Sequence, residues 1–477
     1  VAYVGNQPAR GQWRKLSDIS SGFDGVITTF TTSVPPGTSG YFVTAGSASQ
    51  LLISLGGVIQ EPDVDYTVST NSITFTTPPT GGLSFFGVLC GDALNVGTPG
   101  DGTVTTSKLA AGAVDTAALA SPIAPTVSSI NGGPLAGTRN RIINGDMRID
   151  QRNAGASVTP STGQYLVDRW RSVITQASKF SVQRNAGSVT PPSGFTNYLG
   201  ITSLSAYALT GNDGFSLEQI IEGFNVADFD WGTANAKAAT LSFWVRSSLT
   251  GTFGGSVATT KAAVWVMPFT YSIPAANTWT YVTVSITAPT STGGTNNDNT
   301  DGVYVRFGLG ASGTSAGGTT GTWTSVGNYL QPSGTVSVVG TNGATFYITG
   351  VQLEPGTVAT PFERRSYGQE LALCQRYYQK SYRPATAPGA STFDGMEWTN
   401  GANARISSTT RHAVQMRSAT TIVPYDGAGT ANRVRTSAGD GQTGYMVRGT
   451  TENNFTVDYT SGGITELLYH WTASAEL

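Results

Sequence analysis

Asp301-Gly-Val-Tyr-Val-Arg-Phe-Gly-Leu309 puts Val303, Val305, Phe307 and Leu309 on one face and Tyr304 and Arg306 on the other. Side chains alternate across a strand, so this period of two predicts one buried face and one wet face. The pattern recurs on both sides of it. Leu241, Phe243 and Val245 alternate with polar or mixed neighbours, and Val282, Val284 and Ile286 alternate with Tyr281, Thr283 and Ser285. Phe346 and Ile348 alternate with Tyr347, Thr349 and Val351. Loops of Gly, Thr, Ser and Asn separate these segments, notably 289–302 and 310–322. Residues 139–365 therefore read as one large jelly roll or β-sandwich.

Composition agrees with an all-β chain. Of 477 residues 60 are Gly, 12% are charged and 10% are aromatic. The charged share is about half the usual quarter of a soluble domain. A formal net charge of −2 does not suit a protein that grips nucleic acid through its phosphates. The apolar and aromatic content is too high for a disordered chain. Cys90 and Cys374 stand far apart in sequence, which excludes a local metal or redox motif. Each is expected as a small apolar residue.

Working outward, residues 1–95 read as a small β-sandwich. Its strands are expected at Phe30–Val34, Gln50–Ile59, Asp65–Val68 and Ser72–Thr76, punctuated by Pro and Gly. Residues 96–138 form a repeat neck and linker. Asp101-Gly-Thr-Val-Thr-Thr-Ser-Lys-Leu-Ala110 is echoed by Ala111-Gly-Ala-Val-Asp-Thr-Ala-Ala-Leu-Ala120. The repeated Val and Leu suggest packing against other subunits around a shared axis rather than a free linker. The clearest helix is 366–380, capped by Ser366 with Gln369 three residues on. Leu371, Cys374 and Tyr378 form its buried stripe. With it, residues 381–477 make a C-terminal β tip, domain 366–477. The start, Val1 to Pro8, has neither the basic nor the apolar region of a secretion signal. Residues 41–60 carry too many polar groups for a membrane span.

Short catalytic patterns fail their context. Ser315 in Gly313-Thr-Ser-Ala-Gly317 lacks the helix a nucleophile elbow needs. Gly308-Leu-Gly-Ala-Ser-Gly313 opens no helix either. Asn297–Gly302 begins like a calcium loop, but its twelfth position is Gly308 rather than Glu. The histidines are His412 and His470 only, and neither has an evident catalytic partner. The close carboxylate sets are Asp228 with Asp230, Asp63 with Asp65, and Glu218 with Glu222. Each reads as solvated or turn carboxylates. Trp170, Trp244, Trp265 and Trp279 lie in alternating strands and are expected in the core. Trp398, Tyr469, His470 and Trp471 are the candidate exposed rings, on which a sugar could stack at the tip.

Several stretches carry a resemblance. Ile348 to Tyr378, including Val351-Gln-Leu-Glu-Pro-Gly356, resembles the C-terminal region of bacteriophage tail fibres. Arg141–Ile149, Asp168-Arg-Trp170, Gln219–Gly223, Leu241–Ser247 and the closing Ala473-Ser-Ala-Glu-Leu477 match the same family in order. Gln50–Pro62 with Asp65–Val68, and Asn95–Pro99, are similar to the amino-terminal module of such fibres. The resemblance implies a homotrimeric fibre on the virion, made in the host cytoplasm. Its N-terminal module would bind the phage tail, a baseplate or an adaptor protein, and its tip a host surface glycan. The middle domain would resemble jelly-roll carbohydrate-binding modules. No catalysis, cofactor, nucleic-acid partner or membrane insertion is expected. Some such modules hold a structural calcium with an Asn-Gly-Asp start. Asn144-Gly-Asp146 fits, but Gly350 stands where an Asp is wanted. The alternatives are a polysaccharide depolymerase tailspike or a purely structural connector or decoration fibre.

Overall fold

Period-two alternation becomes antiparallel strand throughout the computed structural model. It describes residues 13–33, 47–69, 71–90, 138–401, 405–460 and 462–477. The chain divides into two units, Val1–Pro125 and Thr126–Leu477. Among the described residues the regular structure is strand, short 3-10 turns and one α-helix. The decapeptide repeats, and with them the packed neck, lie outside the described residues.

The first unit is the expected small sandwich. A four-stranded sheet runs in the order Arg14–Lys15, Phe85–Leu89, Leu51–Leu55, Val58–Ile59. A three-stranded sheet runs Thr29–Thr31, Ser72–Phe75, Tyr66–Ser69. Ile53 and Phe85 from one sheet share a core with Phe30, Ile73 and Phe75 from the other. The single strand expected over Gln50–Ile59 is a hairpin instead. Gly56 and Gly57 take φ of 57° and 87° and turn the chain, a conformation that glycine adopts without a Cβ penalty.

In the second unit, two sheets enclose the largest core. The five-stranded sheet runs Phe180–Arg184, Leu199–Ser203, Thr345–Pro355, Ala239–Ser247, Thr280–Ile286. The six-stranded sheet runs Trp265–Ile273, Gly251–Thr259, Asp301–Ala311, Gly214–Glu222, Trp170–Ile174, Tyr165–Val167. Val303, Val305, Phe307 and Leu309 face inward with Leu241, Phe243, Val245 and Trp170, as the alternation requires. The opposite face is not uniformly wet. All nine residues of Gly214–Glu222 are buried, and Glu218 on that face is clamped between Arg171 and Arg306 at 2.6 and 3.0 Å.

The helix spans Tyr367–Gln375 and begins with the expected Ser366–Gln369 capping box. It ends earlier than the sequence pattern suggests, and Tyr378–Lys380 continues as a strand. Cys374 is buried with Tyr377, Ile143 and Ile149, and both cysteines are free thiols. Beyond the helix, Glu466–Ser474 is the hub of the tip. Along its length it pairs with Tyr378–Lys380, Glu397–Asn400, Thr421–Tyr425 and Val434–Thr436. A three-stranded sheet of Arg405–Arg411, Asn454–Thr460 and Tyr445–Arg448 packs with it through Phe455, Val457 and Trp471.

The family-like stretches interlock around the jelly-roll end of this unit. The Asn144 side chain accepts from Ile149 N and donates to the carbonyls of Ile149 and Asp168. Trp170 Nε1 donates to Asn144 O at 3.0 Å. Arg169, almost fully buried, bonds Glu476 and the Ile220 carbonyl and lies 3.6 Å from the Tyr377 ring centroid. Glu222 takes Arg376 and the Tyr377 hydroxyl, which hold its carboxyl below the usual range against the opposing, and largest, effect of burial. Removing one member of such a set leaves an uncompensated buried charge. These stretches are thus latches between distant parts of the chain.

Candidate functional site

The outer face of the five-stranded sheet carries an aromatic cleft, and a glycine shapes its floor. In strand Thr345–Pro355, Phe346 and Ile348 face the core, but so do Val351 and Leu353. The alternation read from the sequence put Val351 opposite Phe346. The register shifts between Ser242 and Trp244 of the neighbouring strand, where Thr349 pairs Trp244 and Gln352 pairs Ser242. An extra residue is therefore accommodated as a β-bulge at Gly350, whose φ is 62°. A Cβ there would stand 2.7 Å from the Phe195 ring and 3.2 Å from Trp244 Cδ1. Gly350 is required both for its backbone and for the two rings over it.

The cleft measures about 450 Å³ and is lined by Phe195, Trp244, Tyr281, Gly350, Phe362 and Arg364, among others. Trp244 and Tyr281 are registered cross-strand partners with ring centroids 5.2 Å apart. Phe195 and Phe362 meet edge to face at 5.2 Å. Arg364 lies over both, 4.7 and 5.8 Å from their centroids. The lining thus joins apolar ring faces to one cation and the Ser242 hydroxyl. Apolar walls with few placed polar groups suit a ligand that presents both C–H faces and hydroxyls.

The wall of this cleft is held from beneath by Gln352 and Glu354. Gln352 Nε2 donates to Glu354 Oε1 at 2.8 Å and to the Thr360 carbonyl at 3.2 Å. Its Oε1 accepts from Glu363 N at 2.8 Å. Glu354 accepts from Thr360 N and Oγ1 at 2.8 and 2.6 Å. These bonds are buried, so each polar group is matched where an orphan would be costly. They fix the turn that carries Pro361, Phe362 and Arg364. The Ile348–Tyr378 stretch therefore builds the cleft, with Phe362 and Arg364 lining it and Gln352 and Glu354 below it.

The rings expected at the tip divide. Trp398 is 64% exposed, on strand Glu397–Asn400 opposite Leu468, which itself pairs Arg435. Phe393 is also exposed, with Arg435 at 5.2 Å from its ring. Tyr469, His470 and Trp471 are buried and present no ring to solvent, contrary to the sequence reading. Strands flank Glu466–Ser474 on both edges, and both faces are covered from Tyr469 to Trp471. Tyr469 hydrogen-bonds Thr410, and Trp471 packs on Phe455 at 5.3 Å. His470 stacks on Tyr382 at 3.8 Å. Trp471 N donates to Ser381 Oγ, which leaves the Ser381 proton for His470 Nδ1 at 2.9 Å. Nε2–H then donates to the Thr392 carbonyl at 3.1 Å. This is the neutral tautomer, consistent with burial pushing the His470 pKa down.

The opposite correction applies to the tryptophans expected in the core. Trp170 is there, but Trp244, Trp265 and Trp279 are half-buried. The missed cleft residues left one trace in the sequence, the switch of apolar parity across Gly350. A glycine inside a strand pattern marks a bulge or a close approach.

The carboxylate pairs are also rearranged. Glu218 and Glu222 are buried and neutralised by arginines, not solvated. Four residues apart on one strand, their Cα atoms stand about 13 Å apart, and each carboxylate is held by its own arginines rather than by a shared site. Ser315 lies in a single 3-10 turn and donates to Asn212 O. Asn144 is engaged by backbone groups, and Asp146 pairs Arg148 at 2.8 Å. Among the described residues no three His, Cys, Asp or Glu side chains cluster as a metal site would need.

No family model and no curated protein matches the chain. Solved structures do. The chain is similar to the enzymatically active domain of tailspike protein 4 of bacteriophage CBA120, at 14% identity and a TM-score of 0.25. That match covers 45% of this chain but only 21% of the tailspike chain. It is similar to the N-terminal cellulose-binding domain of Cellulomonas fimi β-1,4-glucanase C, at 12% identity and a TM-score of 0.22, covering 35% and 82%. A family 11 carbohydrate-binding module of Clostridium thermocellum, in complex with a β-1,3-1,4-mixed-linked tetrasaccharide, matches at 12% identity and a TM-score of 0.22, covering 43% and 98%.

Proposed function

We propose that the chain is a glycan-binding phage tail fibre. The Trp244–Tyr281–Phe195–Phe362 cleft takes a sugar of the host surface, without chemistry on it. The observation that carries this reading is the bulge at Gly350, which opens an aromatic cleft on an otherwise packed sheet. Trp244 and Tyr281 offer the stacking faces, and Arg364 and Ser242 the polar contacts. Exposed Trp398 and Phe393, with half-buried Leu468 and Arg435 beside them, form a second contact surface at the tip. The N-terminal sandwich serves as the tail-attachment module, a role supported by its resemblance to the amino-terminal module of such fibres. The chain works as a homotrimer, in which weak sites act together by avidity.

Two measurements test this. Light scattering of the full chain should give a mass near 149 kDa, three times the 49.6 kDa chain. A monomer mass sinks the fibre. Titration with host polysaccharide fragments should change tryptophan fluorescence, and Trp244→Ala should remove binding. Fluorescence and affinity that Trp244→Ala leaves unchanged would sink the cleft. Release of reducing ends from that polysaccharide would replace binding by depolymerisation.

A further inference from the structure

A second pocket, about 300 Å³, is built from three parts of the chain. Arg148, Asp150 and Arg184 come from the jelly roll, Tyr367 and Gln375 from the helix, and Lys380 from the strand after it. Its charges are unevenly matched. Arg148 is balanced by Asp146 at 2.8 Å. Asp150 lies 3.9 Å from Arg184 Nε, and its oxygens already accept from Asn153 N and Gly155 N. Arg184 Nη1 is spent on the Arg148 carbonyl at 2.9 Å. No hydrogen-bond acceptor meets its Nη2 among the described residues.

Lys380 has no ion-pair partner among the described residues, and Asp168 and Asp150 favour its charged form only from beyond that distance. Its Nζ donates to the carbonyls of Thr386 and Pro384 at 2.6 and 3.2 Å. Two carbonyls fix the position of an ammonium without neutralising it, and its third proton is unspent. Burial of an unpaired charge is unfavourable, and burial pushes this amine down to about 8. Beside it, Gln375 contributes an amide. At the rim, Tyr367 is exposed and offers a ring face.

We propose that this pocket is a second ligand site, separate from the cleft, for a sugar unit bearing an oxyanion. The oxyanion, carboxylate or phosphate, sits on Lys380 and Arg184, and the sugar ring lies on Tyr367. Charge-assisted hydrogen bonds are the strong ones, so affinity rests on the two cations.

The test is protection of Lys380 in the full chain from acetic anhydride at pH 8, read by mass spectrometry. Glucuronate and glucose 6-phosphate are the probes, and glucose is the neutral control. Protection by glucuronate alone identifies a carboxylate sugar, and protection by both identifies a general oxyanion site. Protection by neither, or equally by glucose, overturns the proposal. Calorimetry then follows the protecting probe. Lys380→Met should weaken it by about tenfold or more, while the fluorescence response of the cleft stays unchanged. Arg184→Gln, which leaves Lys380 in place, should weaken it less. Affinity unchanged in both variants overturns the proposal.

Discussion

The outer face of the five-stranded sheet and the hub strand of the tip both carry Trp and Tyr in alternating sequence, but their surroundings differ. Around Trp244 the sheet is left open. A bulge opens the floor, and the turn at 359–364 rises as a wall rather than a lid. Around Tyr469 and Trp471 the strand has partners on both edges, and a second sheet covers their face. A ring on a strand becomes a binding surface or core according to what lies above it. The strand itself does not determine which.

Truncations should separate the two regions. Trp471→Ala should lower stability by ~3–5 kcal/mol, the usual loss for a buried Trp, measured by urea denaturation. Its glycan titration per folded molecule should not change. Trp244→Ala should do the reverse. It should cost less than ~2 kcal/mol of stability because the ring is half-buried, and remove at least about thirtyfold in glycan affinity as an interface hot spot. Equal stability losses would erase the distinction.

Gly350→Ala sharpens it further. A left-handed backbone disfavours a side chain by roughly 1–2 kcal/mol, and the new Cβ would press on Phe195 and Trp244. Stability should fall by about that much, with weaker glycan binding while Trp244 is still present. Unchanged binding would mean that the bulge does not shape the cleft.

The hub strand should also respond to pH. Burial, the largest influence, lowers the His470 pKa below the ordinary 6.5, and His412 is lowered in the same way. Below about pH 6.5 the unfolded chain takes up protons that the folded chain resists. The histidine contribution is therefore full above that value and is lost as pH falls through the lowered folded pKa values. His470→Gln should flatten the decline in urea midpoint below pH 6.5, leaving the part due to His412. An unaltered slope would mean that His470 is not held neutral. The smallest effect is expected at the exposed tip ring. Trp398→Ala should change stability by less than ~0.5 kcal/mol, and should weaken host-cell adsorption if the tip row contacts the glycan.

The strands at 301–309, 241–245 and 282–286 were legible because their apolar residues alternate without interruption. The capped start at Ser366 was legible from local hydrogen-bonding chemistry. Tyr469, His470 and Trp471 were misjudged because a short aromatic run near a chain end looks alike on a rim or in a hub. The contacts that bury them come from residues as far back as Ser381 and Tyr382. Glu218 and Glu222 were misjudged for the same reason, since their arginines come from other strands and from the segment after the helix.

The sequence by itself determined an all-β chain, the apolar face of the strands that alternate without interruption and the one helix start, because these depend on neighbours a few residues away. Only the tertiary structure decided which outer faces remain open, which rings line the cleft, and which charges are matched. Coverage and pairing are set by segments far apart in the chain, and local periodicity carries no record of them.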